Sequence, residues 1–142
     1  VDDLIALEYK LGLDRVDILN LFNARINVIR DRLQKLIYSL KKEGKTIAGF
    51  GAPTKATTLM AHFGLDETML DFIVDDNPLK QGLFTPITHI PVLSSEALYD
   101  QKPDYLLILA WNFSEPIMKT HKKYSNEIGK FILPMPEPEI VL

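Results

Sequence analysis

From Gly44 to the end, the chain alternates short apolar runs with segments of helical pattern, and this alternation constrains the fold more than any other feature. The runs are Lys45–Phe50 (KTIAGF), Leu70–Asp75 (LDFIVD), Val92–Leu93, Tyr105–Ala110 (YLLILA) and Lys130–Leu133 (KFIL). Tyr105–Ala110 is apolar throughout, as a strand covered on both faces must be. Between the runs, Thr54–Phe63, Ser94–Tyr99 and Glu115–Ser125 read as helices, with Ser94 or Ser95 placed to cap the second and Pro116 in the first turn of the third. Strand–helix alternation implies a parallel sheet with crossover helices. The expected fold is α/β: a Rossmann-like parallel sheet of about five strands flanked by helices, preceded by a long N-terminal helix. Pro134, Pro136 and Pro138 are expected to end regular structure and leave an extended tail.

Residues 1–44 have a different period. Leu4, Ile5, Leu7 and Leu11 suggest a short helix stopped by Gly12. Leu19, Phe22, Ile26, Ile29, Leu33, Leu36 and Leu40 then follow steps of three and four, one stripe along a helix that starts near Asp14 and stops at Gly44. Roughly 30 residues at a 1.5 Å rise make a rod of about 45 Å. Such a helix either packs on its own sheet or overhangs to meet a second domain or a partner chain, including a homodimer through the long helix. The expected division is 1–44, helical, and 45–142, Rossmann-like.

Composition excludes several chemistries. With no cysteine in the sequence, the chain can form no disulfide, thiolate zinc site or thiol nucleophile. His62, His89 and His121 are 27 and 32 residues apart, which is not a metal-ligand spacing, so no metal is expected. Residues 45–142 carry twelve acids and eight bases, and all four arginines lie before residue 45. An anion bound by the α/β part must therefore meet lysine, backbone N–H groups or neutral side chains, and nucleic acid is not an expected partner. No run approaches the ~18 apolar residues of a membrane span. Asp2, Asp3 and Glu8 stand where a signal peptide would be basic, so a cytoplasmic location is expected. A first residue of Val1 suggests a processed chain or an excised piece of a longer polypeptide.

Ligands of parallel α/β sheets bind beyond the carboxyl ends of the strands, which directs attention to four loops. Gly49-Phe50-Gly51-Ala52-Pro53-Thr54-Lys55 turns from strand to helix and can offer backbone N–H groups to an anion, with Lys55 the nearest cation. Thr54 replaces the third glycine of a dinucleotide fingerprint, and Thr54 and Ala56 both break a Walker A pattern. A phosphate or ribose cradle, a purely structural turn and a true NAD or S-adenosylmethionine site are the three readings of this turn. Asp75-Asp76-Asn77-Pro78 follows Gly51 by 24 residues, where an acid can take ribose hydroxyls; an Asx turn ending the strand is the alternative. The segment 77–91 is a loop of a length usually functional or mobile, and it carries Lys80 and His89. Trp111-Asn112-Phe113 suits stacking and hydrogen bonding of a ring, or plugs the sheet's end. No catalytic constellation is readable.

Taken together, Gly49-Phe50-Gly51-Ala52-Pro53-Thr54-Lys55-Ala56, Asp75-x-Asn77-Pro78-x-Lys80-Gln81-Gly82, Thr88-His89-Ile90-Pro91-Val92, Pro103-Asp104-Tyr105 leading to Trp111-Asn112, and Phe131-Ile132-Leu133-Pro134-x-Pro136 form an ordered set. This set resembles the C-terminal domain of the sugar C-methyltransferases, which methylate a carbon of a nucleotide-linked keto-deoxysugar. The resemblance covers essentially the whole chain. It implies a substrate-positioning module: S-adenosylmethionine would be the cofactor of the intact enzyme, bound by an upstream methyltransferase module, and a nucleotide-sugar would lie between the two. It further implies that Gly51, Ala52, Lys55, Asn77, Lys80, His89, Trp111 and Asn112 help to hold that nucleotide-sugar, with no catalytic residue in this chain. The sequence departs from the pattern at Ala56-Thr57, where Gly-Asn is expected, at Ile87, where Gly is expected, and at Ala110, where Pro is expected. These departures bear on how closely a ligand approaches, not on the fold. Two other readings stand beside this one: a free-standing NAD- or CoA-binding regulatory module, and a purely structural module whose long helix forms an interface.

Overall fold

A computed structural model describes residues 1–142. Helices α1 (Asp2–Leu11) and α2 (Val16–Lys42) precede the sheet. Then follow β1 (Ile47–Phe50), α3 (Thr54–Phe63), β2 (Phe72–Val74), β3 (Val92–Leu93), α4 (Ala97–Gln101), β4 (Tyr105–Ile108), a 3₁₀ turn (Trp111–Phe113), α5 (Ser114–Thr120), α6 (Lys122–Glu127), β5 (Lys130–Leu133) and β6 (Glu139–Val141). The sheet order is β3-β2-β1-β4-β5-β6. All pairs are parallel except β5 with β6. The mixed α/β, Rossmann-like architecture is as the alternation of runs implied.

The strands are apolar throughout because both faces are covered. On one face, Ile47, Ile73, Leu107, Leu109 and Ile132 pack with Leu33, Ile37 and Leu40 of α2 and with Ala56, Leu59, Met60 and Phe63 of α3. On the other, Ala48, Phe50, Phe72, Val74, Leu106, Ile108 and Phe131 pack with Leu98 and Tyr124. Each fully buried Leu, Ile or Phe contributes roughly 1.5–3 kcal/mol of hydrophobic transfer. Two acids pin the amino ends of the strands: Asp104 accepts from the Thr46 N–H at 2.9 Å, and Asp71 accepts from the Ile47 N–H at 2.8 Å and from Lys41 Nζ at 2.9 Å.

Three expectations are corrected. The tail is not unstructured: once Pro138 is passed, Glu139–Val141 has free N–H groups and pairs antiparallel with β5, making a sixth strand. The helix expected over Glu115–Ser125 is two helices broken at His121, whose ring is drawn inward against Phe50 and Tyr99. Neither Ser94 nor Ser95 caps α4, because Ser94 bonds Glu96 and Ser95 bonds Asp76 instead.

The long helix divides in two. Its last third is core, with Leu33, Ile37 and Leu40 buried, while Ile26 and Ile29 are half-buried. Before that, Leu19, Leu21 and Phe22 are exposed, as are Leu4, Leu7 and Leu11 of α1, in which no residue is buried. α1 stops where Gly12 takes a left-handed φ of 67° and its N–H returns to Glu8 and Tyr9 carbonyls. No helix is long and apolar enough to cross a membrane.

Candidate functional site

At the carboxyl end of β1 the chain makes a turn that only glycine fits. Gly51 has φ +89°, and a Cβ there would lie 2.9 Å from the Ala110 methyl. Its N–H donates to the Val74 carbonyl at 2.7 Å, which holds the turn against β2. Thr54 then opens α3, whose first turn has no side-chain cap. Its free N–H groups give the turn a partial positive charge.

Asp75 organises the next strand end. Its carboxylate accepts from the Ala52 N–H at 2.7 Å, the Asn77 N–H at 2.9 Å and Lys80 Nζ at 2.9 Å, and its carbonyl accepts from Gln81 Nε2 at 2.9 Å. Burial pushes the Asp75 pKa up, but the Ala52 N–H, Lys80 and the Asn77 N–H together outweigh it and hold the carboxyl below its ordinary value. The Asx-turn alternative is therefore realised here: Asn77 N–H bonds Asp75, and Asn77 Oδ1 accepts from the Leu79 N–H at 3.0 Å. The loop that follows is tied down. Phe84 bridges Pro91 antiparallel, and the buried Thr85 hydroxyl accepts from the Ile90 N–H.

A cleft of about 170 Å³ opens between these loops, lined among others by Gly51, Lys55, Asp75, Lys80, Asn112 and Phe113. Lys80 spends its charge on Asp75. Lys55 has no carboxylate partner, and its ammonium stands 5.5 Å from the Trp111 ring centre and 5.9 Å from that of Phe113. It is thus the cation open to an incoming anion, held over aromatic faces.

The structure brings Gly51, Lys55, Lys80 and Asn112 into this one cleft. Trp111 stands on the far side of Lys55, in a larger groove of about 440 Å³ bounded by α2 and α3. Ala52 lines a neighbouring recess with Lys80 and Thr85, and its N–H is already committed to Asp75. Asn77 is exposed with its carbonyl oxygen used in its own turn. His89 is exposed at φ +51°, its ring 6.3 Å from that of Phe84, and it lines none of these recesses. Sequence reasoning missed the wall that Phe22 and Met135 give the groove. Phe22 sat in the apolar stripe, and only its exposure separates it from core. No group of three His, Asp or Glu side chains converges to hold a metal ion.

One departure from the expected pattern has a visible cost. Ile87 stands where glycine is expected and adopts φ +69°, a left-handed conformation that strains a β-branched residue. Its side chain is exposed, so nothing is gained in exchange. Ile87→Gly should relieve strain of about 1 kcal/mol, less the entropy glycine loses on folding, and so leave stability equal or higher. A fall of more than 1 kcal/mol in denaturant unfolding would show that Ile87 makes contacts that matter.

The profile of the C-methyltransferase C-terminal domain matches residues 1–136. The chain belongs to that family. It is also 36% identical over 141 residues to a protein described as C-methyltransferase NovU from Streptomyces niveus, a match covering 99% of this chain. The chain spans 34% of that protein's length, about a third. Among solved structures, UDP-D-quinovosamine 4-dehydrogenase from Vibrio fischeri is similar with a TM-score of 0.45 and 13% identity, over 66% of this chain and 79% of that one. In this C-methyltransferase C-terminal domain, then, the glycine turn, the Asp75 tie and Lys55 meet on the edge of the sheet where ligands of such folds bind.

Proposed function

We propose that this chain is the substrate-positioning module of an S-adenosylmethionine-dependent sugar C-methyltransferase. It holds a nucleotide-sugar at the carboxyl edge of its sheet, and the methyl donor and catalytic groups belong to an upstream module. The observation that carries this reading is Lys55, a cation without a carboxylate partner at the first turn of α3, beside a glycine turn, in a member of this family. The diphosphate would meet Lys55 and the Gly51 turn. Lys80, Asn112 and Trp111 would contact the remainder, with Ala52 and Asn77 shaping the loops; His89 lies outside these recesses and would contact the ligand only where it extends beyond them. The uncovered apolar residues of α1 and early α2 support a role for 1–44 as the contact arm toward the upstream module, with 45–142 as the ligand-holding unit. The dinucleotide alternative has less support, because the acid that would take ribose hydroxyls is already saturated by Ala52, Asn77 and Lys80.

A thermal-shift panel tests this reading, with dTDP, dTDP-, UDP- and GDP-sugars, NAD, coenzyme A and S-adenosylmethionine. A ligand at 100 times its Kd adds about 2.7 kcal/mol, several degrees in a chain of this size. A shift with a nucleotide-sugar, reduced by Lys55→Ala, is the expected result, together with no methyl transfer by residues 1–142 alone. A shift with NAD or coenzyme A only, or turnover with S-adenosylmethionine, would sink it.

A further inference from the structure

His121 Nε2 is the one buried side-chain polar atom of the protein that makes no hydrogen bond. The residue is 6% exposed. Its ring centre lies 4.9 Å from that of Phe50 and 6.4 Å from that of Tyr99, and Nδ1 is 3.2 Å from the Tyr99 hydroxyl. Its backbone forms the joint of α5 and α6: the N–H donates to the Ile117 carbonyl at 2.9 Å, and the carbonyl accepts from the Tyr124 N–H at 2.9 Å. Buried polar atoms nearly always have a partner, and a phenyl ring would fill this pocket with no atom unpaired. What the imidazole adds is a place to bind a proton.

We propose that His121 is a proton-operated latch: neutral, its ring sits against Phe50 and Tyr99 and holds the α5–α6 joint on the sheet; protonated, it leaves the pocket and the joint opens. A protonated ring carries a full charge and an N–H on both nitrogens, and at Nε2 the pocket offers no acceptor. The groups around it set the direction. Phe50 of β1 is apolar, and Tyr99 of α4 offers only its hydroxyl. Lys123 of α6 stands 5.8 Å from the Tyr99 ring centre, and Tyr124 turns its hydroxyl to the Pro103 carbonyl. Lys119 and Lys122, on either side in sequence, are exposed. Asp76, in the loop after β2, is the negative charge that acts on the ring; it is exposed and accepts from Ser95 Oγ. Burial holds the His121 pKa below its ordinary 6.5, with the Asp76 charge opposing. The open form therefore binds the proton more tightly. The closed joint is fully stable above about pH 6.5 and loses stability as pH falls below it. Phe50 also lines the strand-end cleft, so proton uptake at His121 is linked to one wall of the candidate site.

Amide hydrogen exchange followed by NMR between pH 8 and pH 5, corrected for the intrinsic exchange rate, tests the latch. The reporters are the Tyr124 and Ser125 N–H groups, both of which donate to the His121 carbonyl. Their opening should increase up to about tenfold per pH unit below 6.5, the limit for one proton. At pH 5 they should open at least tenfold more often than the amides of β1 and β4. His121→Phe should abolish this pH dependence. Asp76→Asn, at an exposed position and still able to accept from Ser95, should move the onset to lower pH, and it decides the matter if His121→Phe does not fold. Joint amides whose opening is the same at pH 8 and pH 5, or that open only together with β1 and β4, would overturn the latch. So would His121→Phe with unchanged pH dependence, or Asp76→Asn with an unchanged onset.

Discussion

Gly129→Ala should destabilise this protein by about 3 kcal/mol or more, lowering Tm by roughly 10 °C. Gly129 joins α6 to β5, and a methyl added there would strike the Tyr124 hydroxyl and come within 2.6 Å of the Asp104 and Pro103 carbonyl oxygens. Neither side can yield. Tyr124 is fully buried and donates to the Pro103 carbonyl at 2.8 Å, and burial, with the Asp104 charge and Tyr105, pushes its ionisation far above the ordinary phenol value. The two carbonyls belong to the segment entering β4, and Asp104 also accepts the Lys130 N–H. The clash thus sits where β4 and β5 begin to pair. Gly44→Ala is the matched comparison. Its φ of +75° is left-handed, but an added methyl meets nothing within 4 Å, so it should cost only about 1 kcal/mol. Thermal unfolding of both variants checks the ranking, and a Gly129→Ala protein melting within 2 °C of the unaltered one would refute it.

Asp75→Ala should cost about 2–3 kcal/mol, because it strands the Ala52 and Asn77 N–H groups and the Lys80 ammonium together. The loss should also reach the site. The same carboxylate ties the glycine turn to the loop carrying Lys80, so the cleft loses its definition along with the stability. The pH dependence has a definite sign. The folded pKa of Asp75 lies below the 3.8 of an unperturbed aspartate, so the stability it contributes is present above that value. It is lost as pH falls from about 4 through the lower folded pKa. The difference in unfolding free energy between the unaltered protein and Asp75→Asn should be constant above about pH 5 and shrink on acidification. A difference that persists unchanged at pH 2, or an Asp75→Ala variant within 0.5 kcal/mol of the unaltered protein, would show that the carboxylate is not the tie.

Much of the architecture was legible because burial on both faces forces continuous apolar runs. KTIAGF, YLLILA and KFIL read as interior strands once helices separated them; KFIL matches the observed strand at both ends, and the other two differ from it at one end by two residues. Glu139–Val141 was not legible, since three residues after a run of prolines carry no periodicity. Its strand character comes from the open edge of β5. The break at His121 was equally silent, because helix propensity continues across it while the aromatic pocket of Phe50 and Tyr99 draws the ring inward.

The candidate site shows the same division. Residue types and their order pointed to the glycine turn, the Asp75 loop and the Trp111 loop, since parallel strands bring their carboxyl ends to one edge whatever the side chains. Whether Asp75 faces a ligand or its own chain is a matter of hydrogen bonds closing over 23 residues to Ala52, which no local pattern encodes. The stripe from Leu19 to Leu40 specified a helix by its period alone. Only packing decided that its last third is core while Phe22 stands open beside Lys55 and Trp111, because periodicity defines a face and the length of the sheet beneath it determines how much of that face is covered.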